Sequence, residues 1–140
     1  MNVVVNYKSG VAFDVETRGH HLICDQPESN GGHDQGMTPP ELLLASLGSC
    51  AAYYAVEYLK TRKLPLEVRV EVDAEKAMQP ARIGKIRLDL HTADLESRHR
   101  EGLMRAVHAC LVQNTLSHSP EIEYRLHTTH DSESLVTQMH

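Results

Sequence analysis

Thr38-Pro39-Pro40-Glu41-Leu42-Leu43-Leu44-Ala45-Ser46-Leu47-Gly48-Ser49-Cys50 reads as the opening of a long buried helix. Thr38 is a good N-cap, Pro39 suits the first helical position, and Glu41, three residues after Thr38, completes a capping box. No charge interrupts the run from Leu42 to Val56, and Lys60-Thr61-Arg62-Lys63 then sets cations where the helix dipole favours them. Pro65 stops the pattern. A helix over 39–62 would be about 36 Å long at the usual rise per residue. Its first four turns are apolar nearly all round, which predicts burial on several sides. A chain of 140 residues has little else to wrap it with, so a second subunit is expected to cover part. The small residues Ala45, Ser46, Gly48, Ser49, Ala51 and Ala52 would let another helix approach closely.

Upstream, Val3–Tyr7, Val11–Glu16 and His20–Cys24 read as three short strands, divided by turn signals at Ser9-Gly10 and Arg18-Gly19. Residues 25–37 carry Pro27, Gly31, Gly32 and Gly36 among polar side chains and form a loop leading to the helix. Downstream, Leu66–Asp73 alternates strictly, the mark of a half-buried strand, and Ile83–His91 repeats the pattern across a connection at Met78–Pro80. These two are expected to pair antiparallel. Residues 94–109 read as helix, with Leu103, Val107 and Cys110 on one stripe and Leu111 beside it. A short helix over Cys110–Leu116 follows at a new angle, and Ser119-Pro120 breaks it. Ile122–Leu126 makes a last strand, and residues 128–140 are expected to be a frayed or partly ordered tail. The order βββ-α-ββ-αα-β predicts a single α+β domain over 1–140.

Three cysteines cannot all pair within one chain. Cys24 lies in a strand-like run without an accompanying motif and reads as a small buried hydrophobe. Cys50 and Cys110 each lie on an apolar helical pattern, and two thiols on core-facing helices can meet as a redox device. Ten histidines raise the question of a metal. No pair stands four apart on a helix as zinc sites favour; His20-His21 would point to opposite faces of a strand, and His127 and His130 sit in a polar stretch. Neither a metal nor another cofactor is expected.

With 41% hydrophobic and 24% charged residues and a net charge of −5, the composition is that of a soluble globular protein. Acids and bases are interleaved, no basic stripe exists, and aromatic content is 4%, so nucleic acid is not an expected partner. The start lacks the apolar core of a signal peptide. The uncharged run of 15 residues is short of a membrane span. A cytoplasmic protein without membrane attachment is expected.

Three passages resemble the OsmC/Ohr family, the osmotically inducible protein C and organic hydroperoxide resistance proteins. They are Pro-Glu-Leu-Leu-Leu-Ala-x-Leu-Gly-x-Cys at 40–50, the region around Pro80-Ala81-Arg82-Ile83-Gly84-Lys85-Ile86, and Cys-x-Val-x-x-Thr-Leu at 110–116. The resemblance implies an OsmC-like fold in an intertwined homodimer, with the long central helices packed between sheets and two sites at the interface. In the family's peroxidases the cysteine matching Cys50 attacks an organic hydroperoxide and becomes a sulfenic acid. The one matching Cys110 resolves it to a disulfide that a dithiol reductant reopens, in line with general thiol chemistry.

The same resemblance exposes a departure. A thiolate in an apolar pocket needs a cation, because burial alone raises its pKa. The family's peroxidases use an arginine from the first hairpin, held by a glutamate ten residues before the cysteine, and here that slot holds Pro40. Glu41 has a sufficient role in the capping box. The hairpin offers Lys8 and Arg18 outside the usual setting, and a lysine cannot clamp as a guanidinium does. Two readings therefore stand. One is a thiol peroxidase for oxidative stress defence, acting through Cys50 and Cys110 on a small hydrophobic peroxide. The other is an OsmC-like dimer without that activity, binding a small hydrophobic ligand or serving as a slow thiol redox sensor.

Overall fold

The computed structural model describes residues 1–129 and 135–138. Three N-terminal strands, β1 (Val4–Ser9), β2 (Ala12–Thr17) and β3 (His20–Cys24), form an antiparallel meander in that order. The central helix α1 runs over Pro39–Thr61, one residue short of the expected end. The hairpin of β4 (Val68–Ala77) and β5 (Arg82–Thr92) follows, then α2 (Ser97–His108), α3 (Leu111–Ser117) and β6 (Glu123–Leu126). The expected order of elements holds throughout this part of the chain.

The tail is ordered in part. Much of it lies outside the described residues, but Leu135–Gln138 forms a strand, β7, antiparallel to β6. Helix α2 begins three residues later than periodicity suggests. Leu95 turns inward and is buried, while the Arg100 guanidinium donates to the Leu95 carbonyl and the Asp94 carboxylate at 2.6 and 2.8 Å. Those bonds hold 94–96 as a bracket before the helix. Leu111, expected beside the buried stripe, is exposed; the chain turns at Cys110, so the stripe does not carry across the break.

The β4–β5 hairpin sorts its residues by face. Val68, Val70 and Val72 stand opposite Thr92, Leu90 and Leu88, and this face receives α1. The other face carries Arg69, Glu71, Asp73 and Glu75 against His91, Asp89, Arg87 and Lys85, with Arg87 and Asp73 2.8 Å apart. Exposed pairs of this kind add little stability. The core is apolar: Ala55 and Leu59 of α1 meet Leu95 and Leu103, with Tyr58, Leu64, Val68, Leu90 and Val107 around them. Leu47, Ala51, Ala55 and Leu59 recur every four residues, which makes one fully buried stripe along α1.

Two glycines set how closely α1 is approached. A methyl group at Gly48 would stand 2.9 Å from Cγ2 of Val72, and one at Gly102 would collide with the Tyr58 hydroxyl. The first lets β4 lie against α1 near the cysteine; the second lets α2 lie against its far end. By contrast, among the described residues the β1–β3 meander has no comparable packing against a helix.

Candidate functional site: two thiols beside an apolar groove

Everything that positions the site begins in the loop before α1. Asp25 ends the β3 region and is 1% exposed. Its carboxylate accepts from the amides of Gln26 at 2.8 Å and of His33 and Gln35 at 3.1 Å each. The Gln26 amide foremost, with those of Gln35 and His33, holds this carboxyl below its ordinary pKa against the opposing effect of burial. The loop thus folds around a buried anion, and a bridge between Cys24 and Met37 ties it back to the meander. Sequence reading missed Asp25; its only signal was an acid at the start of a glycine-rich loop.

The capping box forms as expected. The Thr38 amide and hydroxyl donate to Glu41 Oε2 at 2.8 and 2.9 Å, and the Glu41 amide donates to Thr38 Oγ1 at 3.5 Å. These bonds, led by the Thr38 amide, hold the Glu41 carboxyl below its usual value. Glu41 is therefore engaged at the helix start.

Cys50 is half-buried on α1, and Cys110 is buried at the junction of α2 and α3. The helices set Cys110 close enough to Cys50 for one thiol to influence the other's proton. Burial first, and then the contact with Cys50, push the Cys110 thiol above its ordinary pKa; the amides of Gln113 and Val112 at the start of α3 pull the other way. At neutral pH Cys110 is thus a protonated thiol facing Cys50. Chemically, the pair can share a proton or, on oxidation, form a disulfide.

Beside the pair lies an open groove of about 660 Å³, lined by Leu43 and Leu47 of α1, Ile86 and Leu88 of β5 and Leu116 of α3. Leu47 and Gln113, each three residues from a thiol, both line it, and so does Pro40. The position where the resemblance places an activating carboxylate is thus an apolar wall. Lys8 is the penultimate residue of β1 and Arg18 sits in the β2–β3 turn, both exposed. Among the described residues neither is paired with Cys50. Cys24 is buried on β3, and its strand register sets it opposite Phe13 rather than beside the other thiols.

A three-stranded meander, a long capped helix, a strand hairpin and a broken helix pair bearing two facing thiols define a two-thiol α+β protein. The chain belongs to the OsmC-like protein family, whose family model matches residues 32–125. No curated protein sequence matches it. Among solved structures it is similar to a candidate osmotic stress induced and detoxification response protein of Psychrobacter arcticus 273-4, at 18% identity and a TM-score of 0.75, covering 82% of this chain and 87% of that one. It is also similar to an OsmC-like protein of Mycoplasma pneumoniae, at 16% identity and 0.70, covering 84% and 87%. The organic hydroperoxide resistance protein OhrB of Bacillus subtilis matches at 18% and 0.57, covering 84% and 90%. At these identities the likeness is one of fold.

By length and composition α1 reaches the size of a membrane span, which the shorter uncharged run did not suggest. In this fold it packs against β4, α2 and α3.

Proposed function

We propose that the chain is a thiol-dependent peroxidase of small organic hydroperoxides, working in the cytoplasm as a homodimer. The observation that carries this reading is the approach of Cys50 to Cys110 near an apolar groove. The Cys50 thiolate attacks the terminal oxygen of R–O–O–H. The O–O bond breaks, the sulfur keeps that oxygen as a sulfenic acid, and the alkoxide takes a proton and leaves as R–OH. Cys110 then attacks the sulfenic sulfur, releasing water and leaving a Cys50–Cys110 disulfide. A dithiol of the cell supplies the two electrons and two protons that reopen it. The division of labour follows the surroundings: the half-buried thiol meets the substrate, and the buried, protonated one waits behind it.

Stopped-flow reduction of cumene hydroperoxide tests the reading. A rate well above that of free cysteine, abolished in Cys50→Ser, supports it. One equivalent of peroxide should also remove two hydrogens from a peptide pair containing Cys50 and Cys110, by mass spectrometry. Cys110→Ser should keep the first turnover and stop at the sulfenic acid.

The second reading is a dimer that binds a small hydrophobic ligand in this groove or senses oxidants slowly. Pro40 in the groove wall, with Glu41 bound to Thr38, favours it. A rate equal to free cysteine, together with retention of an apolar fluorophore competed off by decanol, would decide for it.

A further inference from the structure

We propose that Asp14, Glu16 and His21 form a divalent-cation site of the zinc class on the polar face of the β1–β3 meander. The ligands come from two adjacent strands. Asp14 and Glu16 are two residues apart on β2 and so share a face, and the register sets Glu16 directly opposite His21 on β3. One donor atom from each of the three lies within 4.8 Å of the others.

The spacing suits a metal as well as the side chains' own bonding, in which His21 Nδ1 and Asp14 Oδ2 form a long hydrogen bond. His21 Nδ1 is 3.3 Å from Asp14 Oδ2 and 3.9 Å from Glu16 Oε2. Both exceed the roughly 2.7–2.9 Å of a charge-assisted hydrogen bond. A tetrahedral zinc with bonds of about 2.0–2.1 Å holds its ligand atoms about 3.3 Å apart. The first distance already meets that edge, and the second needs a small rotation of one partly exposed glutamate.

Electrostatics agree. His21 presents one Nδ1 to two carboxylates, so two acidic side chains share the cluster with a single imidazole, and a cation would offset their charge. One imidazole and two carboxylates is a borderline donor set that suits zinc, with water completing the shell. The ligands stand on paired strands rather than on a loop tip, and the ladder from Phe13–Cys24 to Thr17–His20 is unbroken. The opposite face carries Val5, Tyr7, Phe13, Val15 and Leu22, so covering that apolar face would leave the cation site open to solvent.

Equilibrium dialysis against zinc chloride, read by elemental mass spectrometry, tests this in tag-free dimer with Cys50→Ser and Cys110→Ser, which removes the competing thiols. One zinc per chain is expected, with affinity at least tenfold weaker in His21→Ala and in Glu16→Gln, and unchanged in the neighbouring His20→Ala. Should the serine variant not fold, amide NMR of the wild-type chain serves instead, with zinc-induced shifts centred on residues 14, 16 and 21. Absence of uptake, uptake unaltered by His21→Ala and Glu16→Gln, or shifts centred elsewhere would overturn the site.

Discussion

The Asp25 carboxylate gathers three amides from the loop that feeds α1, and this makes the loop's shape depend on one negative charge. A carboxyl held below its ordinary value of about 3.9 contributes its stability in full above that value. The contribution drains away as pH falls through the lower native pKa. Asn at this position keeps one acceptor oxygen but turns a donor toward amides that are themselves donors. Asp25→Asn should therefore lower the Tm by several degrees at pH 7, and the gap from the parent should narrow as pH falls below about 4. Thermal unfolding followed by circular dichroism at pH 7 and pH 3 checks it. An equal gap at both would mean that the charge contributes nothing. The two thiols differ at the same scale: Cys110 is set apart by its deeper burial, which raises its pKa, with Cys50 adding to the effect.

At the level of elements, the crossing of α1 and α2 turns on Gly102. The Tyr58 ring fills the space a larger residue would need, its hydroxyl lies 3.3 Å from His99 Nδ1, and the Arg62 guanidinium covers its face at 3.8 Å. Gly102→Ala would gain about 1 kcal/mol of helix propensity. Against that, overpacking costs about 1–3 kcal/mol when the tyrosine must move. A net loss in urea unfolding is expected, and Tyr58→Phe in the same chain should return part of it, since the colliding oxygen is gone. Additive losses would show that the two positions do not meet.

The elements themselves were legible because periodicity and caps are local: Thr38, Glu41 and Pro39 set the start of α1, and strict alternation set β4. The site was half legible. Cys50 and Cys110 stood out by context, but their contact depends on the turn at Cys110, which no periodicity records. Asp25 and the Asp14–Glu16–His21 cluster were hidden, because one gathers amides across a loop and the other needs strand register. The β7 pairing was hidden too, in a stretch of polar composition.

On the scale of the whole molecule, the unresolved balance is between apolar surface and what covers it. Tyr7 is 69% exposed and Val5 58% on one face of the meander, and Tyr53 is 62% exposed on α1. Val5 stands opposite Val15, and Tyr7 meets Phe13 edge-on with ring centres 6.1 Å apart. An apolar face of this extent, on a sheet with little packing against a helix among the described residues, is a candidate interaction surface. The proposed second copy of the chain would supply what is missing, since α1 likewise leaves an apolar side uncovered. Such a dimer would also bear on the chemistry. Lys8 and Arg18 belong to this meander, so an interface seated on it is where either cation could come within range of a thiolate. Sedimentation should give a species of twice the 15.7 kDa chain. Tyr7→Asp would bury an unpaired charge at the contact, a penalty of several kcal/mol, so it should shift the protein to monomer and cut peroxide turnover at least tenfold. Lys8→Gln, tested beside it, should leave the dimer intact, so a fall in turnover there would report the cation alone. If Tyr7→Asp sediments as the parent does, the meander is not the interface.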